Sequence, residues 1–179
     1  MAATPAVRTL ERERVAHTLH PYDPEHPADQ GHGEAAVAAL GADARQVFKT
    51  LVARVDGALT VAVVPVAGTL DLKALAAATG GRKAVMADPA DAERATGYVV
   101  GGISPLGQKR MLPTVVDESA LGFPTVMVSA GRRGLQVELP PADLVRLTRA
   151  RTAPIAKGPL APHHSQARGG PLRGAGQEP

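Results

Sequence analysis

Four groups of residues carry side chains or backbone able to do chemistry. The first is Gly97 to Arg110, GYVVGGISPLGQKR. A glycine pair precedes Ser104-Pro105, then Gly107, then Lys109 and Arg110. Glycine turns followed by cations can cradle phosphate. The spacing here is wrong for the dedicated loops. A dinucleotide fingerprint needs G-x-G-x-x-G opening a helix, and a triphosphate loop needs Gly-Lys-Ser/Thr. Gly101 and Gly102 are adjacent, and Gly107 is followed by Gln108-Lys109. The residues therefore predict a turn whose glycines permit positive φ. Ser104 has Gly102 two residues before it but Leu106 two residues after, which breaks the nucleophile-elbow pattern. It reads as a solvent-facing turn serine.

The second group is His17, His20, His26 and His32, with Asp23, Asp29 and Glu34 nearby. No H-E-x-x-H spacing presets a zinc site, and surface histidines are the simpler reading. His163 and His164 fall in a tail too poor in core formers for a rigid site. The third is Lys49, inside the apolar run VFKTLV. Strand alternation puts Lys49 and Leu51 on one face and Phe48 and Thr50 on the other. The residues alone favour a solvated edge lysine over a cation facing a cleft. The fourth is Arg132-Arg133, in a turn, where exposed charges are common.

These groups need a scaffold. The chain has 179 residues, 44% of them apolar, enough for one domain with a real core. Aromatics are only 2%, so the core is aliphatic and a base-stacking sheet of the RNA-recognition type is disfavoured. Net charge is +3, compatible with an RNA partner but not diagnostic. There is no cysteine, which removes disulfides, thiolate metal sites and a cysteine nucleophile. No signal-like or membrane-spanning run is present, and a cytoplasmic protein is expected.

Thr4-Pro5 opens a capped helix. His17 to Gly33 reads as a short strand entering a long loop, and Glu34 to Leu40 as a helix stopped by Gly41. Val47 to Val55 and Leu59 to Val66 flank Asp56-Gly57, a strong hairpin signal. Leu70 to Thr79 reads as a helix, Ala84 to Ala87 as a strand, and Asp88-Pro89 as the cap of a helix ending by Gly97. Tyr98 to Val100, Thr114 to Asp117, Thr125 to Ser129 and Leu135 to Leu139 read as strands, and Ala142 to Ala150 as a helix. Residues 158–179 are expected to be disordered. The irregular alternation predicts an α+β domain with a mixed sheet, curled and barrel-like, surrounded by helices.

The combination of TPAVRTLERERV, VFKTLV, VPVAGTLDLKALAAATGGRKAVMADP, the run MADPADAERATGYVVGGISPLGQKRMLPTVVDESA and GRRGLQVEL resembles the YbaK/EbsC family of aminoacyl-tRNA deacylases. The branch that acts on Cys-tRNA(Pro) is the most similar. The resemblance spans about Thr4 to Ala156, so residues 1–157 are expected to form the deacylase domain. It implies a fold related to the editing domain of bacterial prolyl-tRNA synthetase. It also implies a trans-editing role: hydrolysis of Cys-tRNA(Pro), and of Cys-tRNA(Cys), with deacylases of Ala-tRNA(Pro) or Ser-tRNA and a non-catalytic tRNA- or synthetase-binding module as alternatives.

The family lysine falls on Lys49, the expected catalytic residue, with Thr50 as its pocket neighbour. The family loop glycine falls on Gly101, and Gly102, Ile103 and Ser104 follow as substrate-binding positions. Tyr22 matches a pocket tyrosine, His32 stands where an aromatic is usual, and Gln136 stands where some relatives carry an acid. Expected partners are aminoacyl-tRNA, tRNA(Pro) in particular, and prolyl-tRNA synthetase in a transient complex. No membrane, metal or cofactor is expected. The family mechanism has the substrate's own thiol attack its ester, forming a thiolactone. The protein then supplies position and charge stabilisation instead of a nucleophile.

Overall fold

Among the residues described by the computed structural model, 3–25 and 31–158, five α-helices and ten strands alternate. Helix α1 (Pro5–Arg12) starts as its sequence predicts: the Thr4 hydroxyl accepts from Val7 N at 3.2 Å and donates to Ala130 O at 2.5 Å. Its apolar stripe, Ala6, Val7 and Leu10, is buried. Strand β1 (Thr18–Pro21) follows. Helix α2 (His32–Leu40) begins two residues before the expected start and ends on Gly41 at φ 60°.

The predicted hairpin is present as β2 (Phe48–Val55) and β3 (Ala58–Pro65), in register from Phe48↔Pro65 to Val55↔Ala58. Asp56 and Gly57 both have positive φ, at 48° and 86°, as a two-residue primed turn requires. Strand β4 (Thr69–Leu70) precedes α3 (Leu72–Ala78), whose first turn is capped by Asp71 accepting from Ala74 N at 3.1 Å. Strand β5 (Ala84–Met86) leads to α4 (Pro89–Thr96), capped by Asp88 on Ala90 N and stopped by Gly97 in the left-handed conformation. Then come β6 (Thr114–Asp117), a 3-10 turn at Glu118–Gly122, β7 (Val126–Arg132), β8 (Leu135–Leu139), α5 (Pro141–Thr148), β9 (Arg151–Ala153) and β10 (Ala156–Lys157).

Among the described residues the strands form three sheets. The largest runs β5-β2-β3-β6-β9, with β3–β6 and β6–β9 parallel and the rest antiparallel. A second runs β1-β8-β7, and β10 pairs with β4. One face of the β2–β3 hairpin buries Phe48, Val52, Val61 and Val63 against Leu10, Val128 and Val137. The other buries Ala53, Ala62 and Val64 against Leu75, Ala76 and Ile155. Asp117, buried at the end of β6, accepts from Ile155 N and Ala156 N at 2.9 Å each and so fixes the approach to β10.

Several expectations need correction. The mixed α+β class holds, but no closed barrel forms among the described residues. The two larger sheets touch through one parallel bridge, Val47↔Met127, because β2 changes neighbour along that edge. Tyr98 to Val100 is a turn, not a strand: the Tyr98 ring is buried, and Gly102 N closes back on Val99 O at 2.9 Å. Arg132 belongs to β7, paired with Leu135 beyond a register shift. Strands β4, β9 and β10 were not expected. No helix among the described residues is long and apolar enough to cross a membrane. Of the tail expected to be disordered, residues 159–179 lie outside the described residues.

Candidate active site

The site opens where β2 changes neighbour. Val47 O accepts from Val66 N at 2.8 Å, so the odd-numbered residues of β2 bond to β3 and the even-numbered ones face the opposite edge. On that opposite edge, Gln46 O accepts from Met127 N at 3.0 Å, and Val52 O from Ala87 N at 3.1 Å. Between these attachments no ladder forms among the described residues. The strand edge around Thr50 borders a cavity of about 300 Å³ instead.

Six stretches of the chain wall this cavity. The start of α2 supplies His32, Gly33 and Glu34. β2 supplies Lys49, Thr50 and Leu51. The β5–α4 corner supplies Met86, Ala87, Pro89 and Ala92, and the glycine loop Val100, Gly101 and Ile103. Ser129 of β7 and Gln136 of β8 complete it. The lining is mostly apolar with a few polar groups, the usual build of a small-ligand pocket.

Lys49 is therefore not the solvated edge lysine favoured by its residue context. It is half-buried on the pocket wall, and no ion pair among the described residues involves it. A cation in an apolar recess interacts more strongly with a ligand's charge than one in water. Two polar atoms on the same walls are also unsatisfied: Thr50 Oγ1 and Gln136 Oε1 are buried without a hydrogen-bond partner among the described residues. Leaving such a group unpaired costs about 1–3 kcal/mol, which a bound polar ligand can offset. Sequence reading placed Gln136 only as a departure from an acid. Its signal is structural, because register sets it opposite both His20 of β1 and Ser129 of β7. Gln136→Leu is expected to leave thermal stability unchanged or slightly raised, since it removes an orphaned acceptor. It should raise KM for the substrate several-fold. A melting curve together with steady-state kinetics checks both halves.

The glycine loop is held from three sides. The Tyr98 hydroxyl donates to Leu106 O at 2.6 Å, and burial pushes its pKa up to about 12, so it stays a neutral donor. Glu93 accepts from Val100 N at 2.9 Å. The Arg133 guanidinium donates twice to Val100 O, at 2.7 and 3.0 Å. Arg133 thus clamps the pocket loop, a role that a turn arginine does not announce in sequence. Gly101 sits at φ 88°, and a methyl there would come within 2.7 Å of the His32 ring. At Gly102 a methyl would come within 2.9 Å of the Arg132 and Arg133 backbone, so this glycine lets the loop sit against the β7–β8 turn.

Of the residues expected at the site, Lys49, Thr50, Gly101 and Ile103 share the cavity. Tyr22, Gly102 and Ser104 are not among its lining. Ser104 is fully buried, not solvent-facing, and its hydroxyl accepts from Leu106 N at 3.2 Å, shaping the loop. The histidines disperse. His17 bonds Val15 O at 2.7 Å, His20 bonds Glu138 at 2.8 Å, and among the described histidines only His32 reaches the cavity. Bonds from Thr125 and His20 hold the Glu138 carboxyl below the usual carboxylate range. No group of three metal-ligating side chains exists among the described residues. His26, Asp29, His163 and His164 lie outside those residues.

The pocket's walls coincide with a known sequence family. Residues 29–147 match the model of the aminoacyl-tRNA editing domain. The chain belongs to the aminoacyl-tRNA editing domain family. A relative in Enterococcus faecalis that carries the name Cys-tRNA(Pro)/Cys-tRNA(Cys) deacylase EbsC is 38% identical over 154 residues, 85% of this chain and 92% of its own. A solved structure described as a trans-editing enzyme for prolyl tRNA synthetase superposes with a TM-score of 0.72 at 27% identity, over 88% of this chain and 100% of that one. A second, the hypothetical protein APE2540, superposes with a TM-score of 0.75 at 24% identity, over 86% and 100%, and speaks to the fold alone. The matched segment of this editing domain contains every region that walls the cavity.

Proposed function

We propose that this editing domain hydrolyses the ester of mischarged aminoacyl-tRNA in trans, with Cys-tRNA(Pro), and also Cys-tRNA(Cys), as substrates. The observation that carries the reading is the company Lys49 keeps on one small cavity: a cation without an ion pair and a Thr50 hydroxyl without a partner among the described residues, beside the Gly101 backbone. A cavity of about 300 Å³ has room for an aminoacyl group. The name of the 38% identical relative supports the cysteinyl substrate.

The chain offers no thiol, and the buried Ser104 hydroxyl is engaged in its own loop. In this reading the nucleophile is the substrate's own thiol, as the resemblance to the deacylase family implies. Its sulfur bonds to the ester carbonyl carbon, the bond from that carbon to the ribose oxygen breaks, and the thiol proton ends on the released ribose hydroxyl. Water opens the resulting thiolactone to free cysteine. Lys49 stabilises negative charge developing on the ester oxygens, and backbone donors at Gly101 orient the acyl group with Ile103 as an apolar wall. Holding thiol and carbonyl together supplies up to about 7–11 kcal/mol in well-aligned cases.

Residues 1–157 act as one unit in this reading, supported by β10 pairing back onto β4. The bridge between β2 and β7 supports treating the two larger sheets as one strongly curled surface around Phe48. Tyr22, Gly102 and Ser104 then act through the loops that border the pocket. Selection of tRNA(Pro) falls to prolyl-tRNA synthetase in a transient cytoplasmic complex, in line with the description of the 27% identical structure.

Deacylation of Cys-, Ala- and Ser-charged tRNA(Pro) tests the proposal. The cysteinyl ester is expected to be cleaved about 10²-fold faster or more than the other two, which lack the internal nucleophile. Equal rates on Ala-tRNA(Pro) would overturn the thiol-assisted step, and no cleavage of any of the three would overturn the enzymatic reading.

A further inference from the structure

A second concavity, about 660 Å³, lies on the other side of α4 from the cavity. Helical spacing divides the two: Pro89 and Ala92 face the cavity, whereas Asp91, Arg94 and Ala95 face this groove. Arg54, Arg94, Lys109 and Arg110 line it, with Asp91 as its only acid among the described residues. Three positive charges are left uncompensated there, as many as the formal excess of the whole chain.

Asp91 is already engaged, by Arg54 at 3.0 Å and by Arg94 at 3.6 Å. Arg94 is three-quarters exposed. Lys109 and Arg110 are exposed, and neither side chain has a hydrogen bond or ion pair among the described residues. Their backbones are nonetheless fixed: Lys109 N donates to Thr96 O at 2.9 Å, and Arg110 N to Ala95 O at 3.2 Å.

A purely structural account would have these cations offset the carbonyl end of the α4 dipole. The backbone donors of the same two residues already satisfy carbonyls of the last turn, so the ammonium and guanidinium remain available. Met111, 66% exposed, adds an apolar surface at the rim. Fixed cations with free ends beside an exposed apolar side chain suit a polyanion that carries flat, partly apolar groups.

We infer that this groove binds the phosphodiester backbone of the tRNA acceptor strand while the charged 3′ end turns over α4 into the cavity. The inference rests on the tRNA substrate proposed above. α4 is then the divider that phosphates and ester straddle, about 10 Å across with its side chains.

The test is equilibrium binding of uncharged tRNA at several salt concentrations. It needs no ester cleavage. The triple variant Arg94→Gln, Lys109→Gln, Arg110→Gln is compared with a control that removes three exposed cations elsewhere, Arg12→Gln, Lys73→Gln and Lys157→Gln. The groove variant is expected to bind about ten- to a hundredfold more weakly, with the slope of log K against log salt shallower by about 2 to 3. With charged tRNA, KM should rise with little change in kcat. Unchanged affinity and slope, equal losses in both triple variants, or no tRNA binding by the wild type would overturn the inference. So would retained tRNA binding with lost binding to a synthetase. If the wild type binds tRNA through these residues but cleaves no ester, the deacylase reading falls and the groove stands.

Discussion

Replacing Lys49 with methionine is expected to slow single-turnover deacylation of Cys-tRNA(Pro) about 10²- to 10³-fold. Methionine keeps most of the stem volume and removes only the charge, so packing against the pocket wall persists. No carboxylate is paired with Lys49 among the described residues. The substitution therefore orphans no partner, and the thermal midpoint should move by only a few degrees. The loss should fall on the chemical step, because the ammonium meets charge that grows as the ester breaks. Lys49→Arg is not expected to restore the rate, since a planar fork cannot place one compact charge at the same point. Rapid-quench measurement on preformed Cys-tRNA(Pro), beside a melting curve, separates these effects. A methionine variant within threefold of wild type would remove Lys49 from the mechanism. A large fall in the melting midpoint would show that Lys49 is structural.

Gly101→Ala should have the second-largest effect, by a different route. The residue lies at φ 88°, where an L side chain is strained. The added methyl also meets the His32 ring at 2.7 to 2.8 Å, its Cγ included, so the ring cannot merely rotate aside. Either the loop backs away from α2 or α2's first turn shifts. Both movements reshape the cavity by a sizeable fraction of an ångström to an ångström, and displacement on that scale can cost about 10²-fold in rate. His32→Ala should partly rescue Gly101→Ala by removing the obstacle, leaving only the backbone strain. Kinetics of the two single variants and the double variant check this coupling. Additive losses would mean that the ring contact does not transmit the effect.

The fold was legible in sequence where local chemistry decides it. Asp56-Gly57 specified the hairpin, and Asp88-Pro89 with Gly97 bounded α4 almost to the residue. It was not legible where a distant contact overrides local preference. Tyr98 to Val100 carries strand-forming residues, yet the buried Tyr98 ring and its bond to Leu106 O hold a turn. Two- and three-residue strands such as β4, β9 and β10 leave no periodicity to read. For the site, alternation put Lys49 and Thr50 on opposite faces but could not say what borders the strand's edge. That edge depends on where β5 begins and β7 leaves, more than 30 residues away in sequence. Residue spacing alone therefore made Lys49 a surface residue, and family resemblance moved it to the pocket. Arg133 and Gln136 were missed as participants for the same reason: the clamp on Val100 and the orphaned amide exist only after β7 and β8 are paired.

The interrupted ladder beside Thr50 has a further consequence, for how the protein behaves in a crowd. An open strand edge ordinarily invites a second chain to add to it, and long exposed edges seed aggregation. This one is short and closed at both ends, by the attachment of Gln46 to Met127 and of Val52 to Ala87. An incoming strand would meet β7 at one end of this short edge and β5 at the other. The fold thus keeps a piece of raw β-edge accessible to a small molecule while denying it to another polypeptide.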